Sequence, residues 1–111
     1  MRLLRVGPLP DAPLAAAGLF YAECLPRIAA HMAQGPSDVV LVFGEADYRH
    51  RGWRTEAVAA LAREYAPARV NGVAGADAAA IGAAFAYLEQ GLGVTGQLLR
   101  LDSQGAGEVI G

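Results

Sequence analysis

Leu61-Ala-Arg-Glu-Tyr-Ala-Pro-Ala-Arg-Val-Asn-Gly-Val-Ala-Gly75 carries, within one short run, the passage from helix to strand on which the architecture turns. Its first half closes a helix. Leu61, Ala62 and Tyr65 extend an apolar stripe that begins with Trp53, Ala57 and Val58, and Pro67 then ends helical hydrogen bonding. Residues 69–73 follow at once as a short apolar strand interrupted by Gly72. A helix that hands over directly to an apolar strand is half of a strand–helix–strand unit.

Upstream, Val39-Val-Leu-Val-Phe43 is apolar without alternation, the pattern of a parallel strand covered on both faces. Residues 2–6 form another short strand, closed by Gly7-Pro8-Leu9-Pro10. Asp11 is placed to cap a helix with Pro13 in its first turn, a helix that carries Leu14, Leu19, Phe20 and Leu25. That helix runs to about Gln34, where Gly35-Pro36 stops it, and Pro26 should bend it. Downstream, Asp77 caps a helix whose Ile81, Ala84, Phe85 and Leu88 recur at helical spacing. Gly91 and Gly93 end it, and residues 96–101 supply the last strand.

The outcome is an α/β chain, a small Rossmann-like half-domain over residues 1–103, with a flexible tail at 104–111. About four mostly parallel strands lie in sequential order with three helices, joined by right-handed crossovers. Val39, Leu41 and Phe43 point to one side of the sheet, Val40 and Val42 to the other. Three helices give either two layers or three, and any apolar sheet left open marks an interface.

Bulk properties narrow the function. A length of 111 residues makes one domain. A net charge of −2 gives the surface as a whole no attraction for nucleic acid or an anionic membrane. The single cysteine, Cys24, excludes an internal disulfide and fits a reducing compartment. No apolar run reaches the ~20 residues of a membrane span. Gly7, Pro8, Pro10, Asp11 and Pro13 interrupt any signal-like segment, so a cytoplasmic location is expected. His31, His50 and Cys24 are too dispersed for a metal site.

The one dense polar cluster is Asp47-Tyr-Arg-His-Arg-Gly-Trp-Arg54, after a strand, at the sheet edge where open α/β folds bind ligands. Read as a site, Arg49, Arg51 and Arg54 hold a phosphate or carboxylate, and His50 titrates beside them. Read as surface, it is a solvated loop and helix start in which Glu45, Asp47 and Glu56 balance the arginines.

The run 61–75, together with Val94-Thr-Gly-Gln-Leu-Leu-Arg-Leu-Asp102, resembles the C-terminal half of the short-chain dehydrogenase/reductase family. There, "L-A-x-E-x-A-P…R-V-N-x-V-x-P-G" joins a helix to a strand, and "T-G-Q-x-L-x-x-D-G-G" forms the last strand. Leu25-Pro26-Arg27-Ile28-Ala29-Ala30-His31-Met32 is similar to the family helix ending in "A-L-P-x-M". The resemblance implies a chain without the Gly-rich cofactor-binding front end, hence no dinucleotide cofactor of its own. Where the family has its catalytic serine, this sequence has Phe43-Gly44-Glu45-Ala46. The Tyr-x-x-x-Lys pair maps to about Asp47 and Arg51; Tyr48 is one place off, with Gly52 four residues on. Ala74-Gly75 stands in place of the Pro-Gly that meets the nicotinamide.

The expectation is therefore a non-catalytic domain that acts by association, as a homodimer or as an accessory subunit of a full-length dehydrogenase. In the family, the helix equivalent to residues 53–65 and the last helix and strand form the main subunit interfaces. Trp53, Ala57, Ala60, Leu61 and Glu64 are accordingly the expected interface. The alternatives are a small ligand-binding protein or enzyme using the 45–54 loop, or a remnant that binds nucleotide only with a partner.

Overall fold

The chain is described by a computed structural model covering residues 1–35 and 37–101. The expected tail at 104–111, the end of the expected domain at 102–103, and Pro36 lie outside the described residues. Strands β1 (Arg2–Arg5), β2 (Val39–Phe43), β3 (Val70–Ala74) and β4 (Leu98–Arg100) pair in parallel, in the order β1-β2-β3-β4. The sequential parallel sheet matches the reading of the apolar runs. Among the described residues, no helix is long and apolar enough to cross a membrane.

The first helical arm comprises α1 (Pro13–Leu19), a π-helical turn at Phe20–Cys24, and α2 (Leu25–Ala33). The bend expected at Pro26 takes the form of this wider turn, in which the N–H of Leu25 reaches back to the carbonyl of Phe20. A π turn just before proline absorbs the loss of its N–H. The buried stripe of the arm is Ala16, Phe20, Ile28 and Met32, so of the four apolar residues expected there only Phe20 is fully buried. Leu14 is 90% exposed and Leu19 also faces outward, while Leu25 is only partly buried. Asp11 does not cap α1 either. The N-cap is Ala12, without a side-chain hydrogen bond, and Asp11 instead offers its carbonyl to His50.

Helix α3 (Arg51–Glu64) lies on the same sheet face as this arm, and helix α4 (Ala78–Gln90) lies on the other. Asp77 caps α4 as expected, accepting from the N–H of Ala80 at 3.0 Å. Val39, Leu41 and Phe43 pack with Phe20, Ala57, Val58 and Leu61, whereas Val40 and Val42 pack with Ile81, Ala84 and Leu88. The layers number three. Among the described residues α4 is the one helix on its face, and Met1 and Leu3, at the β1 side of the sheet, stay only partly buried there.

This placement corrects the expected handedness. In a parallel sheet ordered sequentially, crossovers of one hand put every helix on one face. The β3–α4–β4 crossover lies on the opposite face from the first two, so it has the opposite hand. Strand twist makes the right-handed form the rule, so this connection needs specific anchors. They are present in the two sequence runs that carry the family resemblance. Asn71, fully buried on the α4 side of β3, donates from Nδ2 to the carbonyl of Val94 at 2.9 Å. Its Oδ1 accepts from the N–H of Gln97 at 3.0 Å. The N–H of Val70 donates to Thr95 Oγ1 at 3.1 Å, and that of Gly96 to the carbonyl of Val70 at 2.7 Å. Gly96 has φ +75°, a left-handed conformation that favours glycine, and a Cβ there would stand 3.5 Å from Ala62 Cβ of α3. The returning chain is thus clasped to the start of β3 as it passes from one face to the other.

Candidate functional site

All four strands point their carboxyl ends to one edge, and the loop after β2 folds over it. Gly44, Glu45, Ala46 and Asp47 lead into a 3₁₀ turn at Tyr48–His50. Asp47 starts that turn, accepting from the N–H of Arg49 at 3.0 Å. The same carboxylate takes Arg49 Nε at 3.0 Å and Nη2 at 2.9 Å. The hydrogen bonds from the Arg49 side chain and then its backbone hold Asp47 below the usual carboxylate range, and Asp47 raises Arg49 in return. Arg49 is thereby committed to its neighbour and does not line the cavity at this edge. Its expected role in an anion site is withdrawn.

The cavity measures about 530 Å³ and lies between this loop and the ends of β3 and β4. Arg51, Arg54 and Arg100 bring positive charge to its walls, Glu45 brings negative charge, and Ala74, Leu98 and Leu101 are apolar. A smaller cavity of about 370 Å³ opens toward Gly7, Pro8, Leu9 and Pro10, and Glu45, Ala46, His50 and Arg54 line both.

His50 is buried and both ring nitrogens are engaged. Nε2 lies 2.8 Å from the carbonyl of Asp11, which can only accept. Trp53 Nε1, which can only donate, lies 3.1 Å from Nδ1. Those partners assign the Nε2–H tautomer. His50 is a strut between the 8–11 loop and α3, and with both nitrogens engaged it offers none to an anion.

Arg54 is the unusual residue of the site. It is 6% exposed, one turn into α3, and Nη1 donates to the carbonyl of Gly44 at 2.8 Å. Its guanidinium carbon lies 4.9 Å from the centre of the Phe43 ring and 5.7 Å from that of Trp53. Nε is buried without a hydrogen-bond partner. Among the described residues no carboxylate pairs with it, and burial pushes its pKa below the usual arginine value. An unmade buried hydrogen bond costs about 1–3 kcal/mol, more for a charged group.

The expected interface stripe on α3 divides. Ala57 and Leu61 are buried in the protein's own core, and Trp53 packs against the Phe20 and Phe43 rings at 5.5 and 6.0 Å. Ala60 is half-buried and only Glu64 is exposed. The stripe is apolar because it faces the sheet, so Ala57 and Leu61 present nothing to a partner. Sequence reasoning passed over Arg100, which lines the cavity from β4. Its signal was its place just after the apolar pair Leu98-Leu99, at the carboxyl end of the last strand.

An open parallel sheet flanked by helices, with its cavity at the carboxyl edge, defines a Rossmann-like domain. The model of the family described as short chain dehydrogenase-like protein matches residues 4–101, and the chain belongs to that family. Neither the curated proteins nor the solved structures yield a match to it.

Proposed function

We propose that this chain is a non-catalytic short-chain-dehydrogenase-like domain that acts by association, pairing with a second copy of itself. The observation that carries this reading is an open strand edge beside a groove walled by small residues. Strand β4 has β3 as its one neighbour, so its outer edge is unpaired among the described residues. Next to it, Ala79, Ala80, Ala83 and Tyr87 of α4 face Leu99 and Leu101 across an apolar groove of about 700 Å³.

An unpaired edge is best satisfied by another strand. Two identical edges pair antiparallel about a two-fold axis, which places the same patch on both sides of the contact. The same axis brings α4 against its symmetry mate, and alanines permit close approach. The catalytic side of the reading rests on residue chemistry. Gly44, Glu45 and Ala46 at the expected serine position offer no hydroxyl, and Gly52 offers no ammonium group to Tyr48.

Size-exclusion chromatography with multi-angle scattering over a wide concentration range tests the reading. The expected result is a dimer that Ala83→Arg, an exposed position on α4, converts to monomer with its helical circular dichroism intact. A wild-type monomer throughout counts against self-association. A stable complex with a purified full-length dehydrogenase and no homodimer would assign the face to an accessory subunit instead. Turnover of a carbonyl substrate with a reduced nicotinamide by the isolated chain would overturn the non-catalytic part.

A further inference from the structure

We infer that the cavity at the carboxyl edge of the sheet is a binding site for a small organic acid, a carboxylate or phosphate with a short apolar body, whose anionic head pairs with Arg54. The inference goes beyond association and does not depend on it.

Three observations converge. The first is the state of the Arg54 guanidinium. Nη1 is occupied by the carbonyl of Gly44, and the Phe43 and Trp53 rings flank the group. The edge formed by Nε and Nη2 makes no hydrogen bond among the described residues, and Nε is already stripped of solvent. That edge presents two parallel N–H donors at the spacing of two carboxylate or phosphate oxygens. Arg49 and Asp47, at the 3₁₀ turn that precedes α3, show the same fork satisfied, Nε and Nη2 gripping two oxygens at 3.0 and 2.9 Å.

The second is charge. Arg51 and Arg100 share the cavity wall with Arg54, and the acidic residues there are Glu45 and Asp47. Asp47 is spent on Arg49. Among the described residues Glu45 is then the one uncommitted carboxylate of a wall that carries three arginines, so the cavity favours an anion. The third is shape. Ala74, Leu98 and Leu101 form an apolar side to a space of about 530 Å³, room for a body of several carbons beside the charged head. A bare ion would leave that wall unused.

Trp53, the single tryptophan, sits against Arg54 and reports on it. The experiment titrates the intact protein at constant ionic strength with acetate, butyrate and hexanoate in one arm and inorganic phosphate and butyl phosphate in the other. Tryptophan fluorescence is the readout, with calorimetry as a check. The expected result is a saturable change in at least one arm. Affinity should rise with chain length, up to roughly fourfold per methylene as apolar surface is buried.

Arg54→Met should abolish the response and Arg100→Gln should weaken it about tenfold, the scale of one charge-assisted contact. Should Arg54→Met fail to fold, Arg100→Gln and Arg51→Gln carry the test, since both side chains are exposed. A response confined to one arm identifies the head group as carboxylate or phosphate, and either supports the site. Absence of any saturable response in both arms overturns it. So does binding that none of the folded arginine variants alters.

Discussion

Arg69 Nε donates to Asp38 Oδ2 at 2.9 Å, across the amino-terminal ends of β2 and β3. The backbone N–H of Arg69 also reaches Asp38 Oδ1, at 2.8 Å. The other side of the guanidinium turns toward the end of α4, where Nη1 donates to the carbonyls of Leu88, at 2.9 Å, and Gly91. One buried side chain therefore ties two strands to the carboxyl end of the helix that crosses on the uncommon hand. It also supplies positive charge where the helix dipole is negative.

Replacing Arg69 by Met should destabilise the fold by about 3 kcal/mol, because it removes the guanidinium from Asp38 and leaves two helix-end carbonyls without their donor. Asp38→Asn keeps the shape and loses the charge, so about 1–2 kcal/mol is expected. Urea unfolding followed by circular dichroism checks both. An equal, negligible loss in the two variants would rule out this anchoring role.

Asp38 also sets a pH dependence. Chiefly the Arg69 backbone N–H, with the guanidinium adding to it against the opposing effect of desolvation, holds its carboxyl below the usual range. The folded value is the lower one, so its contribution is fully present above the unfolded pKa, about 3.9. It is lost as pH falls through the folded value. Thermal melts taken from pH 6 downward should show a steeper acid loss in the wild type than in Asp38→Asn. Identical slopes would contradict it.

Asn71→Ala removes both hydrogen bonds that hold the chain around Val94 and Gln97. The expected loss is about 2–3 kcal/mol, since the partners are left unpaired beneath α4. Amide exchange should rise first at Gln97 and along β4, while β1 and β2 stay protected. Uniform exchange across all four strands would show that no separate clasp exists.

Two glycines should respond in opposite directions. A Cβ on Gly72 would stand 3.0 Å from Leu98 Cδ1 and from Val58 Cγ2, so Gly72→Ala should cost about 1–3 kcal/mol by overpacking. Gly82, inside α4, has open space at the same point, and Gly82→Ala should stabilise by about 0.5–1 kcal/mol through helix propensity. Melting temperatures that move the same way in both would refute the close-approach argument.

Leu14 and Leu88 provide a contrast between outward and inward leucines. Leu88 is fully buried and its truncation to Ala should cost about 2–5 kcal/mol. Leu14→Ala, at 90% exposure, should stay within about 0.5 kcal/mol of wild type. A large loss at Leu14 would mean that something covers it in solution.

Local chemistry sufficed for the elements themselves. The unbroken run Val39–Phe43, the proline at 67 and the Asp77 cap each act within a few residues of themselves and could be read directly, although Asp11 gave a false cap for α1. Even the two sides of β2 followed from alternation, with Leu41 and Val42 packing on opposite faces. Reading failed where a residue's role depends on a distant partner. The α3 stripe looked like an interface because apolarity does not say whether the cover is the protein's own sheet or another chain. Arg49, Arg51 and Arg54 looked equivalent in sequence. Asp47 occupies the first, solvent surrounds the second, and the Phe43 and Trp53 rings enclose the third.

What the amino-acid sequence determined unaided is the alternation of strands and helices of a mostly parallel α/β sheet, the direction of the last strand left to the fold, because hydrophobic period and turn chemistry are local quantities. Only the tertiary structure decided that α4 crosses to the opposite face, that Asn71 and Arg69 tie to the chain on either side of it, and that Arg54 is buried beside a cavity with Nε unpaired. Those outcomes depend on side chains brought together across the sheet, where burial and hydrogen-bond partners are set by neighbours remote in the chain.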